Sequence, residues 1–200
     1  MKLVVNGDVR EIDGSKYENF NQLLRELQSE FKGMVLSSLK INSREIPMSR
    51  LDELKPAKID EGVEEIEMEF KPIREFLVDT LEEVIKYVDN VINLLPKVSE
   101  DMIVDTQKGY KAVKDITDGL NAVESLRENT IKASGIVPED VGMKGREEEV
   151  MGILRNFVAN LEKNDIIELS DMIENQLPKV LRYYRDYFSK VLEILKSKEN

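Results

Sequence analysis

The chain of 200 residues has no cysteine, no histidine and no tryptophan. Without cysteine there is no disulfide, thiolate metal site or thiol nucleophile; without histidine there is no serine–histidine triad and no His-bearing di-iron motif. A phosphate-cradling loop is missing too. Gly142-Met143-Lys144-Gly145-Arg146 lacks both the Gly-x-x-x-x-Gly-Lys-Ser/Thr spacing and a preceding strand, so it reads as a connector. The expectation is a protein that is not an enzyme and holds no zinc, iron, nucleotide or flavin. Long apolar runs are also absent: no uncharged stretch exceeds seven residues, against the roughly 20 apolar residues that span a bilayer. Met1-Lys2-Leu3-Val4-Val5-Asn6-Gly7 turns polar too early for a secretion signal, which makes the cytoplasm the expected address.

What is present describes a folded, heavily charged chain: 41% apolar and 34% charged residues. Lys plus Arg is 29 and Asp plus Glu is 40, a formal net charge of −11. Such a balance repels nucleic-acid phosphates and anionic membranes, so neither is an expected partner. Abundant Glu, Lys and Ile beside only four Gln suits a thermophile.

The hydrophobic period changes along the chain. Leu3–Val5 and Val9–Ile12 are β-prone runs on either side of Asn6-Gly7-Asp8, a hairpin signal because a type I′ turn needs positive φ at both central positions. Phe20, Leu23, Leu24, Leu27 and Phe31 then follow helical spacing, with Asn19 and Gln22 placed as a capping box. Val35–Ile41 returns to strand, Asn42–Glu45 reads as a turn, and Ile46-Pro47 opens an irregular crossover. In Glu65–Phe70, Ile66, Met68 and Phe70 alternate with glutamates, as in a half-buried strand. The order is β-β-α-β-crossover-β.

That order resembles the β-grasp fold of the ubiquitin-like sulfur carriers of thiamin and molybdopterin synthesis. Val5-Asn6-Gly7 matches their first strand ending in Asn-Gly. Residues Asn19 to Leu27 echo their helix of the form Thr-Val-x-x-Leu-Leu-x-x-Leu. Leu39-Lys40-Ile41-Asn42 and Ile46-Pro47 echo a strand, an Asn turn and a Val-Pro, and Gly62-Val63 stands where the carriers have Gly-Asp. The resemblance covers about a third of the chain and implies the scaffold only. The carriers work through a free C-terminal Gly-Gly, whereas here Phe70-Lys71-Pro72-Ile73 leads into a helix, so sulfur transfer is not implied.

From Pro72 onward the period is helical. Ile73 to Leu95 carries a clean apolar stripe that Pro96 is expected to kink or end; a second helix is expected from Ser99 to Ala133, with Gly109 and Gly119 marking close packing. Ser134–Gly145 reads as a loop. A third helix runs from Arg146 to Glu162 with Val158 on its inward side, and a fourth from Asp165 to Ser197 with a bend at Pro178. The pentapeptides Leu94–Val98 and Gln176–Val180 look alike, which raises a duplication of helix pairs. The expected architecture is α+β: a β-grasp domain over residues 1–70 and an antiparallel bundle of about four helices over 71–200.

No carboxylate stands alone on an apolar stripe; Glu147–Glu149 and the acids from Glu162 to Asp171 read as solvated helix faces. The one basic, aromatic-rich stretch is Lys179–Phe188. There Tyr184 and Phe188 follow the inward stripe, while Arg182, Tyr183, Arg185 and Tyr187 are expected on flanking faces as protein-contact residues. The leading expectation is a non-catalytic adaptor, regulator or secretion-type chaperone that offers helical grooves to a partner helix. A docking subunit of a metabolic enzyme and a homodimerising structural module are the alternatives.

Overall fold

A computed structural model describes residues 1–59 and 62–197. Part of the expected crossover, at 60–61, and the chain end, at 198–200, lie outside the described residues. The chain is α+β and divides into two compact units, Met1–Phe76 and Leu77–Asn200.

In the first unit, β1 (Lys2–Val5), β2 (Asp8–Glu11), β3 (Met34–Ile41), β4 (Arg44–Glu45) and β5 (Glu65–Pro72) form one mixed sheet in the order β2-β1-β5-β3-β4. The central β1–β5 pair is parallel and the other pairs are antiparallel. Asn6 at φ +50° and Gly7 at φ +86° make the turn that this dipeptide favours. The Asn6 side chain also reaches across the sheet, where its Oδ1 accepts from the Phe70 amide at 2.7 Å.

Helix α1 (Phe20–Glu30) starts at Asn19, whose side chain accepts from the Gln22 amide at 3.1 Å. Gln22 answers at the Glu18 amide, one residue before the expected cap. Leu23, Leu24 and Leu27 join Val5, Ile66 and Met68 in the core of this unit, each almost wholly buried. A short helix, α2 (Leu51–Leu54), lies in the crossover.

The second unit is built from long helices. Helix α3 (Ile73–Val104) begins directly after β5 and runs through Pro96 without ending there. Leu95, Val98 and Met102 are buried around that proline, and their packing outweighs the lost backbone bond and local crowding that it imposes. Ser99, expected as a helix cap, is instead buried in mid-helix, and the turn falls at Asp105, whose carboxylate accepts from the Lys108 amide at 3.2 Å. Helices α4 (Thr106–Ser134), α5 (Arg146–Lys163), α6 (Ile166–Asn175) and α7 (Leu177–Ser197) follow. The expected fourth helix is thus two, broken at Gln176, with Pro178 tolerated in the first turn of α7. Of the two similar pentapeptides, one sits within a helix and the other starts one.

Cross-links fix how the helices run. Glu147 of α5 and Asn164, which caps its C-terminal end, meet Arg127 and Tyr110 of α4, so these two helices are antiparallel. Each hydroxyl of Ser99 and Ser170 donates to the other's backbone carbonyl at 3.0 Å, tying α3 to α6. Further along, Asp89 pairs with Arg185 and Glu82 with Lys196, so α3 opposes α6 and α7 in direction.

Helices α3 and α4 come close together at Gly109, which is buried. A Cβ added there would lie 2.6 Å from the Met102 Cα, too close for any real contact. Gly109→Ala is therefore expected to destabilise by about 1–3 kcal/mol through overpacking, although alanine is the better helix former by about 1 kcal/mol. A denaturant titration followed by circular dichroism checks the sign, and a stabilised variant would contradict the close approach.

Candidate functional site

The stretch Lys179–Phe188 lies entirely on α7, and the structure corrects two of its four expected contact residues. Tyr183 is 1% exposed and Tyr187 fully buried; both belong to the core together with Tyr184 and Phe188. The physical reason is the number of neighbours. Helix α7 is linked to α3 through Arg185, to α5 through Asp186 and to α4 through Tyr184, so it buries a far wider arc than one stripe.

Each buried ring has its own polar arrangement. The Tyr187 hydroxyl donates to the Ile136 carbonyl at 2.7 Å, and burial, reinforced by Tyr183 and Asp140, pushes its pKa up to about 12. The Tyr184 hydroxyl pairs with the Glu124 carboxylate; burial first and this charge second hold it well above the usual phenol range. Burial likewise raises Tyr183, whose hydroxyl has no hydrogen-bond partner among the described residues. The Arg146 guanidinium sits 5.9 Å from the centre of the Tyr183 ring, within cation–π reach.

Around these rings runs a seam of charge. Arg127, whose side chain is only 12% exposed, grips Glu124 with two bonds of 2.7 and 2.9 Å and meets Glu147 at 3.2 Å. Burial works to raise the Glu124 carboxyl, but the Arg127 guanidinium and the Tyr184 hydroxyl together hold it below its ordinary value. Asp186 lies between Arg146 at 3.1 Å and Arg185 at 3.2 Å, and Arg185 also reaches Asp89.

Arg185 is accordingly a cross-helix tie rather than a free contact. Of the four, Arg182 alone is exposed, with no side-chain partner among the described residues, beside a cavity of about 200 Å³ that Tyr183, Arg146 and Lys179 also line. Sequence reasoning passed over Glu124 and Arg127; their i, i+3 spacing was readable, but their facing Tyr184 across two helices was not. Among the described residues, no group of three or more acids is placed to hold a metal ion, and no helix is long and apolar enough to cross a membrane.

A family model described as a domain of unknown function (DUF8042) matches residues 79–196, and the chain belongs to that family. The match takes in every residue of the α7 site and the seam around it. No curated protein and no solved structure matches the chain.

The two core tyrosines should behave oppositely when their hydroxyls are removed. Tyr187→Phe orphans the buried Ile136 carbonyl and is expected to cost about 1–3 kcal/mol, whereas Tyr183→Phe, which removes a hydroxyl without a partner, should be neutral or stabilising. Melting temperatures of the two variants decide this.

A pH titration tests the burial itself. A phenol pKa raised on folding contributes stability that is complete below the unfolded value of about 10 and is lost as pH climbs beyond it. Helical circular dichroism should therefore fall as pH rises through about 12, the folded value of Tyr187. A late phase of phenolate absorbance should accompany that fall, and full ionisation near pH 10 with the helices intact would contradict it.

Proposed function

We propose that this protein is a non-catalytic interaction module whose helical unit receives an amphipathic helix of a partner protein. The observation that supports this reading is on α5. Met151 is 48% and Val158 53% exposed, although a single inward stripe would have hidden Val158. With half-buried Leu154 and Leu161 they form a row at i, i+3, i+7 and i+10, the spacing at which one helix meets another. Polar ties between α4 and α5 bracket that row, Arg127 with Glu147 at one end and Tyr110 with Asn164 at the other. Val150 and Phe157 meanwhile anchor α5 in the core, so the open row is held on a fixed support.

Two architectural readings accompany this proposal. The sheet order, its parallel central pair and the packing of α1 on it support a β-grasp fold for the first unit. The antiparallel cross-links support a bundle for the second. Nothing in the junction of β5 with α3 corresponds to a carrier's free Gly-Gly, so the β-grasp unit is read as a scaffold. Docking on a metabolic enzyme and self-association remain as alternatives, and both are separable by experiment.

The test replaces Met151 and Val158 together by serine, which should leave melting temperature and far-ultraviolet circular dichroism nearly unchanged. A photo-crosslinker carried at position 158 in the native host should capture one dominant protein, and the substituted row should weaken that complex by about 2 kcal/mol or more. Capture of a metabolic enzyme favours the docking subunit, and capture of the chain itself favours the homodimer. Equal capture from a crosslinker at exposed Glu128 would sink the proposal.

A further inference from the structure

We propose that the cleft between α5 and α7 binds a single carboxylate carried on an apolar body, such as the C-terminal residue of a protein chain or a short branched-chain acid. Two antiparallel rows face each other there: Arg146, Glu149 and Ile153 on α5, and Asp186, Arg182 and Lys179 on α7. The cavity between them is about 200 Å³, below the roughly 300–1,000 Å³ of sites that hold drug-sized ligands. It admits a group the size of one residue, and a nucleotide is too large.

Charge selects the ligand class. Asp186 already receives two guanidinium groups, from Arg146 and Arg185. Arg182 has no ion-pair partner among the described residues, and Lys179 spends one of its donors on the neutral Gln176 side-chain oxygen at 3.1 Å. Lys179 and Arg182 thus outnumber Glu149, the one lining carboxylate without an ion pair among the described residues, which leaves a surplus of one positive charge to meet an anion in a chain of net charge −11. Glu149 on the opposite wall disfavours a doubly charged phosphate. The planar fork of Arg182 matches a carboxylate. Half-buried Ile153 provides an apolar surface for the body that carries it, with buried Val150 and Tyr183 behind it in the lining.

This inference does not rest on the partner-helix reading. Glu149 and Met151 are two positions apart, which is roughly 200° around a helix, so the cleft and the open row of α5 face different ways. Arg182 is exposed, and its replacement by glutamine leaves the core untouched, as circular dichroism would verify.

The experiment titrates the full chain with four probes, followed by calorimetry and by side-chain resonances of Arg182 and Lys179. The probes are N-acetyl-alanyl-leucine as the free acid, its C-terminal amide, isovalerate, and inorganic phosphate. The free dipeptide acid should bind saturably and its amide should not. Arg182→Gln should weaken binding by about tenfold or more, the loss of one charge-assisted pair. Binding of the dipeptide alone identifies a chain terminus as the source of the carboxylate, whereas equal binding of isovalerate identifies a free acid; either supports the proposal. Absence of saturable binding by both acids, binding unaffected by Arg182→Gln, or a preference for phosphate would overturn it. The Met151→Ser, Val158→Ser double variant should bind the acid as the parent chain does, which keeps the two proposals separately testable.

Discussion

Burial of the α7 tyrosines is the constraint on which the helical unit depends. Three phenol rings on one helix bring three hydroxyls into a region where an unpaired polar group is costly. The neighbours are arranged around that cost. Glu124 and Arg127 on α4 answer Tyr184, and the Ile136 carbonyl answers Tyr187. One turn further, the Lys190 ammonium donates to the Val141 carbonyl at 2.7 Å. Together Tyr187 and Lys190 pin the glycine-containing connector between α4 and α5, which sequence composition alone marks as loose. The hydrogen bonds are individually modest, about 0.5–1.5 kcal/mol each. Their joint effect is to fix where α5 enters, and therefore where both of its faces point.

Much of the first unit was legible because its elements obey local rules. The Asn6-Gly7 turn, the Asn19 cap and the alternation of Ile66, Met68 and Phe70 are all set within a few residues of sequence. The helical unit was legible in period and less so in boundary. Pro96 and Ser99 read as a helix end and a helix start by local propensity. Burial of Leu95, Val98 and Met102, with the Ser99–Ser170 pair, decides the matter through contacts some seventy residues away.

The candidate site shows the same division. That Lys179–Phe188 is distinctive could be read directly, as could the inward direction of Tyr184 and Phe188. Placing Tyr183 and Tyr187 outside assumed a narrow stripe. At 100° per residue, the buried positions of α7 from Leu177 to Leu195 sweep roughly 160°, and the two tyrosines lie at one flank of that arc. Arc width depends on how many helices surround α7, and no local pattern states that number. The reverse holds on α5, where Val158 lies on the apolar side by period yet outside by packing.

The turn between α3 and α4 has a consequence for the order in which the chain assembles. A single residue, Asp105, separates helices of 32 and 29 residues, so almost no loop entropy opposes their pairing. Contacts such as Gly109 against Met102 join residues close in sequence, the kind that form fastest during folding. The Ser99–Ser170 pair and the Asp89–Arg185 bridge instead await chain made much later. An α3–α4 hairpin emerging first leaves Leu81, Val88 and Leu95 without the cover that the later helices provide. Until α7 is synthesised this apolar surface lacks its cover, and the chain's surplus of negative charge then acts against self-association.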